Sequence, residues 1–350
     1  MSRSLSWIAR LAVALPISLL APSLPSLAAT PLRQVNPAVR VTSPVFGEVM
    51  EIEVGGLAGA EAAGPAEAAA REALGAAEAL ARDADPERSG ALAALNAAAG
   101  AGARPLPASL AALLGRAFDI CLWSEGAHGP LGRDLNNLWG IRAPVAALPA
   151  PAGLAAAVEA AGCKNLRLDA RKGTVTLAAG AGLDLRGFAA GAVVDRAVEV
   201  LQQRGVATGL VRLGEIWRGF GAGPAGKGWP VPLTALPGQA EPPGPVWLRD
   251  RSLVRVSVRD RPLRIAGEEL ASYLNQRTGR PAAGTLAVLV STERALDAEA
   301  LAVALLITGP REGQMRLGSL QPRPAVQWAL GSGEGDPLLI EYHWSELPKR

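Results

Sequence analysis

The chain has 350 residues, 49% of them hydrophobic and 19% charged, with a formal net charge of +3. That balance gives no broad electrostatic footprint for nucleic acid. Two cysteines and two histidines, far apart in sequence, do not make a zinc site.

The first residues read as an export signal. Arg3 and Arg10 form a short positive region, and Leu11–Leu20 is an apolar run too short to span a bilayer. Ser26-Leu27-Ala28 puts small residues at both cleavage positions. Residues 1–28 are expected to be a signal peptide and residues 29–350 a single mature domain in the bacterial periplasm. An uncleaved membrane anchor is the alternative. Without Arg3 and Arg10 the charge falls from +3 to +1. Cys121 and Cys163 either pair in an oxidising compartment or sit as two buried thiols.

In chain order, residues 29–44 read as an extended segment. Val49–Val54 alternates apolar and acidic residues, the pattern of a half-buried strand, and Gly55-Gly56 ends it. Ala60–Arg82 is alanine-rich, with Leu74, Ala77, Leu80 and Ala81 at helical spacing. Ala91–Ala99 and Pro107–Glu125 predict two more helices, the second with Leu110, Leu113, Leu114, Ala117, Phe118 and Cys121 on one apolar face. Gly126–Gly140 reads as irregular, Pro144–Pro151 as a linker and Leu154–Ala161 as a helix. Asn165–Asp169 and Thr174–Ala178 predict a hairpin.

Leu183–Asp195 is the stretch around which the rest is organised. It reads as an apolar strand, a glycine turn and a helix that runs to Arg204 and stops at Gly205. A second strand, Gly209–Leu213, ends at Gly214-Glu215. Gly187 and Gly191 are spaced so that backbone N–H groups can face an anion at the helix start. The same layout also suits a tightly packed βαβ unit without a ligand.

Further on, Gly221–Pro245 is rich in Gly and Pro, with Trp229–Leu233 as its strand-like piece. Ser252–Val258 and Leu263–Ala266 predict strands around an Asp-Arg turn. Gln276–Ala283 is a turn, Thr285–Ser291 an apolar strand, and Asp297–Ile307 a helix ended by Gly309-Pro310. Ala325–Leu330 and Leu338–Tyr342 close the chain as strands. Helices and strands alternate without a regular βα repeat, so the expected class is α+β on mixed or antiparallel sheet.

These landmarks, in this order, resemble the ApbE-type FAD:protein FMN transferases. Asp85, Pro86, Ser89, Leu95 and Asn96 match one motif; Gly126, Ala127, Pro130, Leu138, Trp139 and Gly140 a second. Asp184–Asp195 aligns without gaps on the family's glycine-turn motif, Ser272–Gly279 on its His-Ile-Ile-Asp-Pro-Arg-Thr-Gly motif, and Glu299–Leu305 with Gly309 on its Asp-Ala-Leu-Ala-Thr-Ala-Leu motif. The resemblance implies one ApbE-like (T-fold-like) domain of antiparallel or mixed sheets with packed helices. It implies an enzyme that splits FAD at its pyrophosphate and joins FMN to a Thr or Ser of a target flavoprotein, with magnesium on the diphosphate. It carries flavin-nucleotide contacts onto Asp184, Gly187, Ala190, Gly191, Gly214, Glu215, Ser257, Ser272, Arg277, Thr278 and Gly279. It carries the metal onto Glu299, with Asp297 beside it.

Several motif positions differ. The family's turn Lys is Ala190 and the turn's first Gly is Arg186. Glu215 and Ile216 replace a Gly-Asp pair. Ser272 replaces the His, and Asn275-Gln276 replace the Asp-Pro. Val303 replaces a metal-binding Thr and offers no oxygen. His128, in place of a Phe, reads as a partly buried substitute rather than a base, and Asp297 as a helix-start acid. A degenerate relative that holds a flavin nucleotide or a protein partner without turnover is therefore the alternative. A structural subunit docking through Trp217, Trp229, Trp247, Trp328 and Trp344 is a third reading.

Overall fold

Alternation of apolar and polar side chains produces a hairpin at the start, β1 (Val39–Val45) with β2 (Glu48–Val54), antiparallel through Phe46-Gly47. The structure, a computed structural model, describes residues 38–235, 244–331 and 336–347. The expected signal peptide lies outside the described residues. The described part of the expected extended segment 29–44 runs as β1, with Val41 and Val45 buried on the core face.

Next comes α1 (Ala63–Asp83), whose buried stripe Ala66, Ala69, Ala70, Ala73, Ala77 and Ala81 has helical spacing. After α2 (Ala91–Ala97) and the short β3 (Arg104–Pro105) runs α3 (Ala108–Trp123). The segment expected to be irregular contains α4 (Arg133–Leu138), and α5 (Pro151–Ala160) starts on a proline suited to a first helical turn. β4 (Leu166–Asp169) and β5 (Thr174–Leu177) form the expected hairpin, with β3 added beside β5. A disulfide joins Cys121 at the end of α3 to Cys163, Cα atoms 6.0 Å apart, and settles the cysteine alternative in favour of pairing.

The expected strand before the central helix is absent. The Leu183 N–H donates to Asn96 Oδ1 at 2.7 Å, and its carbonyl accepts from Asn96 Nδ2 at 2.9 Å. A side chain satisfies these backbone groups, leaving one parallel bridge between Asp184 and Leu131. α6 (Ala189–Gln203) follows the turn. β6 (Gly209–Leu213) then folds back through a two-residue loop onto β7 (Ile216–Phe220), with Gly214 at φ 56° in the loop's first central place.

β8 (Trp229–Val231) pairs with β9 (Val246–Leu248). β10 (Arg251–Ser257) lies between β7 and β15 (Thr285–Thr292). β11 (Leu263–Ile265) pairs with β12 (Glu268–Leu270), not with β10 as the Asp-Arg turn suggested. β13 (Leu274–Asn275) and β14 (Arg280–Pro281) make a small hairpin. α7 (Ala295–Leu317) is two helical segments: Gly309, at φ 72° and ψ 175°, ends the first where expected, and a second helix starts at Pro310. β16 (Ala325–Leu330) and β17 (Leu338–Tyr342) complete an eight-stranded antiparallel sheet in the order β1-β2-β6-β7-β10-β15-β16-β17.

Both faces of the middle strands are buried. Val254, Val288, Val290, Val326 and Trp328 join the main core with α1, α6 and α7. Leu253, Ala287, Leu289, Ala325 and Ala329 point to a second core under β8, β9 and Trp344. Trp217, Trp229, Trp328 and Trp344 are buried, which makes them core side chains rather than docking anchors. No helix among the described residues is long and apolar enough to cross a membrane.

Helices α6 and α7 exchange carboxylates. Asp195 of α6 accepts from the Ala295 N–H at 2.8 Å and the Leu296 N–H at 3.1 Å, the first free donors of α7. It also pairs with Arg218 at 2.6 Å and Arg294 at 3.3 Å. In return, Glu299 of α7 accepts from the Gly191 N–H in the first turn of α6, at 2.6 Å. Gly191 has no room for a side chain, because a Cβ there would strike the Ala295 carbonyl. Asp195→Ala strands two helix donors and a half-buried arginine, so it should lower unfolding stability by about 3–5 kcal/mol in urea denaturation, the range for a broken buried pair. An unchanged midpoint would show that the exchange is not structural.

Candidate functional site

A cleft of about 1350 Å³ opens between the 184–188 turn, the end of α1 and the β6–β7 loop. Arg186, Gly187, Ala190, Glu215, Arg255 and Glu299 are among the residues that line it. The turn at its floor is fixed from below. The Asp184 carboxylate accepts from Asn136 Nδ2 and an Arg142 nitrogen, each at 2.8 Å, and from the Arg186 N–H at 3.1 Å. Gly187 adopts φ 85°, where a glycine is suited, and a Cβ there would press on the His128 ring.

The Arg186 guanidinium reaches across to Ser272. It donates to the Ser272 carbonyl at 2.6 Å and to Ser272 Oγ at 3.0 Å, and it lies 5.1 Å from the centre of the Tyr273 ring. The sequence marked Arg186 only as a replacement of the turn's first Gly, whereas its side chain forms part of the cleft wall. Arg255 pairs with Glu215 at 2.7 Å and with Asp260 at 3.3 Å.

His128 is buried rather than partly buried. Its ring stacks on Phe188 with centroids 4.3 Å apart, and among the described residues Nε2 has no hydrogen-bond partner of good geometry. Burial pushes its pKa down to about 3, so the ring is neutral. A cavity of about 20 Å³ beneath the turn is lined by His128 and Gln276, whose Oε1 is also unpartnered.

Glu299 is buried against the start of α6, and burial raises its carboxyl pKa to about 7 despite the Gly191 N–H. The acceptor at this helix start is thus the protein's own carboxyl group. The residues do not fit the magnesium that the resemblance implied. Glu299 is committed to Gly191, and Val303, which also lines the cleft, has no oxygen. Asp297 does not line the cleft and pairs with Arg116 of α3 at 2.7 Å.

The remaining expected contacts divide by position. Asp184, Gly187, Ala190, Gly214 and Glu215 line the cleft. Ser257 is buried at the end of β10, where its N–H donates to Asp260 and its Oγ accepts from the Arg259 N–H. Ser272 acts through Arg186. Arg277 faces away, paired with Glu312 at 2.9 Å. Thr278 Oγ accepts from the Arg280 N–H, and the Gly279 carbonyl accepts from Trp139 Nε1 at 2.7 Å. These last residues build the β13–β14 loop rather than the cleft.

The candidate site is therefore a large cleft in an α+β domain, floored by a glycine turn, with arginines and carboxylates along its walls. Family comparison matches the ApbE family over residues 46–326, and the chain belongs to that family. A FAD:protein FMN transferase of Treponema pallidum is 32% identical over 235 residues, which span 63% of this chain and 65% of that protein, slightly under two thirds of its length. The crystal structure of the Pseudomonas stutzeri flavinyl transferase ApbE in its apo form superposes at a TM-score of 0.73, with 22% identity, over 87% of this chain and 95% of that one. The ApbE protein of Thermotoga maritima superposes at 0.75, with 17% identity, over 89% and 98%. At these identities the solved structures establish the shared fold.

The two perturbed groups have opposite pH signatures. His128 is held neutral, so its contribution is complete above its ordinary pKa of 6.5 and is lost as pH falls toward about 3. His128→Phe keeps the ring on Phe188, and its thermal midpoint should fall less steeply between pH 6 and 4 than the parent's; parallel curves would contradict the neutral ring. Glu299 is held protonated, so its contribution is complete below its ordinary 4.5 and is lost as pH rises through about 7. Glu299→Gln should remove the destabilisation between pH 5 and 7.5, which denaturant midpoints across that range will show. An unchanged slope would contradict the assignment.

Proposed function

We propose that the chain takes FAD into the cleft and transfers its FMN half to a Thr or Ser hydroxyl of a protein acceptor. The observation that carries this reading is the roomy cleft floored by the 184–188 turn, with Arg186 on its wall, in a chain of the ApbE family. In the proposed reaction the acceptor oxygen bonds to the FMN-side phosphorus. The pyrophosphate P–O bond breaks, AMP departs with that bond's electron pair, and the hydroxyl proton passes to solvent. The chain's own groups contribute charge and position: Arg186 and the rigid turn hold phosphate, in surroundings where a fixed cation is worth more than in water. Export to the periplasm is part of the proposal. The Cys121–Cys163 disulfide supports an oxidising compartment, in which the acceptor is a periplasmic or membrane flavoprotein.

A second reading, flavin retention without turnover, is favoured by one observation. The polar groups nearest the turn are all engaged or buried: Ser272 holds Arg186, Glu299 holds Gly191, and His128 lies beneath the turn.

Mature protein, FAD and an acceptor domain carrying a Thr should be incubated together. The expected result is a fluorescent acceptor band on a denaturing gel and one AMP per flavin attached. Bound FAD without AMP supports the second reading, and no flavin binding overturns both.

A further inference from the structure

We propose that Arg186 is the cation that grips the phosphate groups of the ligand, in the role that the implied divalent metal would otherwise fill; this rests on the flavin reading and extends it. Three observations meet at this side chain.

The first is its unsatisfied charge. Arg186 is only partly exposed, and a guanidinium withdrawn from water needs a counter-charge. Three other cleft arginines have one: Arg142 pairs with Asp184, Arg255 with Glu215 and Asp260, and Arg261 with Glu48; Arg212, held by the Gly214 carbonyl and the Trp217 ring, is exposed to water instead. Among the described residues, Arg186 forms no direct salt bridge; the Glu299 carboxyl acts on it only at longer range. Its partners are the neutral carbonyl and hydroxyl of Ser272 and the face of Tyr273.

The second is its preorganisation. Its backbone N–H is tied to Asp184, and its guanidinium is held on one side by Ser272. Two of its five N–H donors are spent in these bonds, and the planar fork retains three for a ligand. A fixed fork of this kind matches phosphate oxygens better than a free lysine does.

The third is a coupled pair of replacements. Residues 186 and 272 are two positions at which this chain departs from the ApbE motifs, and in the fold their side chains touch. A serine leaves space for the guanidinium and gives it an acceptor. At the same site the oxygen donors for a metal are missing: Val303 has none, and Glu299 is engaged by Gly191. The cleft has gained a fixed positive charge where it has lost the means to hold a mobile one.

The test is titration calorimetry on the mature protein with FAD, ADP and inorganic pyrophosphate, each in EDTA and in excess magnesium. The expected result is binding that EDTA leaves unchanged, weakened about tenfold to hundredfold by Arg186→Gln, the loss of one charge-assisted contact, and partly restored in Arg186→Lys. Thermal melts show which variants are folded. If Arg186→Gln does not fold, Ser272→Ala, which removes one holder of the guanidinium, should still weaken binding several-fold. Equal binding by a folded Arg186→Gln, or binding abolished by EDTA and restored by magnesium, overturns the proposal and leaves the flavin reading standing. Binding of ADP and pyrophosphate without FAD keeps Arg186 and overturns the flavin reading. No binding of any probe overturns both.

Discussion

The exchange of carboxylates between α6 and α7 is the interaction on which the rest of the site depends. Each helix lends an acid to the other's first turn: Asp195 to Ala295 and Leu296, Glu299 to Gly191. An N-terminal turn has free donors and a partial positive charge, so each acid satisfies hydrogen bonds and a dipole together. The helices come close enough that only glycine fits at position 191. That contact fixes where α6 begins, and the start of α6 fixes the 184–188 turn that floors the cleft. Burial then follows from closeness: the Glu299 carboxyl sits so deep that its ionisation moves to about pH 7.

The same arrangement changes the chemistry available to the cleft. A carboxylate committed to a backbone donor and beside a valine is a poor divalent-metal ligand, and an arginine lies a short way along the same wall. The remaining cleft charges are largely internal pairs, such as Arg255 between Glu215 and Asp260, and these shape the wall without attracting a ligand. Arg186 differs because it is half-buried and its guanidinium bonds only neutral groups, with Glu299 acting on it at longer range. Its hydrogen-bonding capacity is therefore left in part for something outside the chain.

Much of this was legible in the sequence. The α+β class, the long helices and the strand at residues 285–291 followed from periodicity and spacing, and the order of motifs from the family resemblance. What sequence could not show was partnership at a distance. Asn96 takes the backbone bonds that would have made Leu183–Leu185 a strand, from a residue far earlier in the chain. β7 was missed because its pattern Ile-Trp-Arg-Gly-Phe is apolar on both faces and shows no alternation. Arg277 and Thr278 looked like ligands from their motif, but the hairpin turns Arg277 toward Glu312. Arg186 looked like a loss of glycine, because only the fold brings Ser272 to it.

The most direct test of this account is a crystal structure of the mature protein with ADP, grown with magnesium present. The account predicts the diphosphate within hydrogen-bond distance of the Arg186 guanidinium, with Glu299 still accepting from Gly191. An octahedral magnesium joining Glu299 to the phosphates, with Arg186 turned away from them, would contradict it.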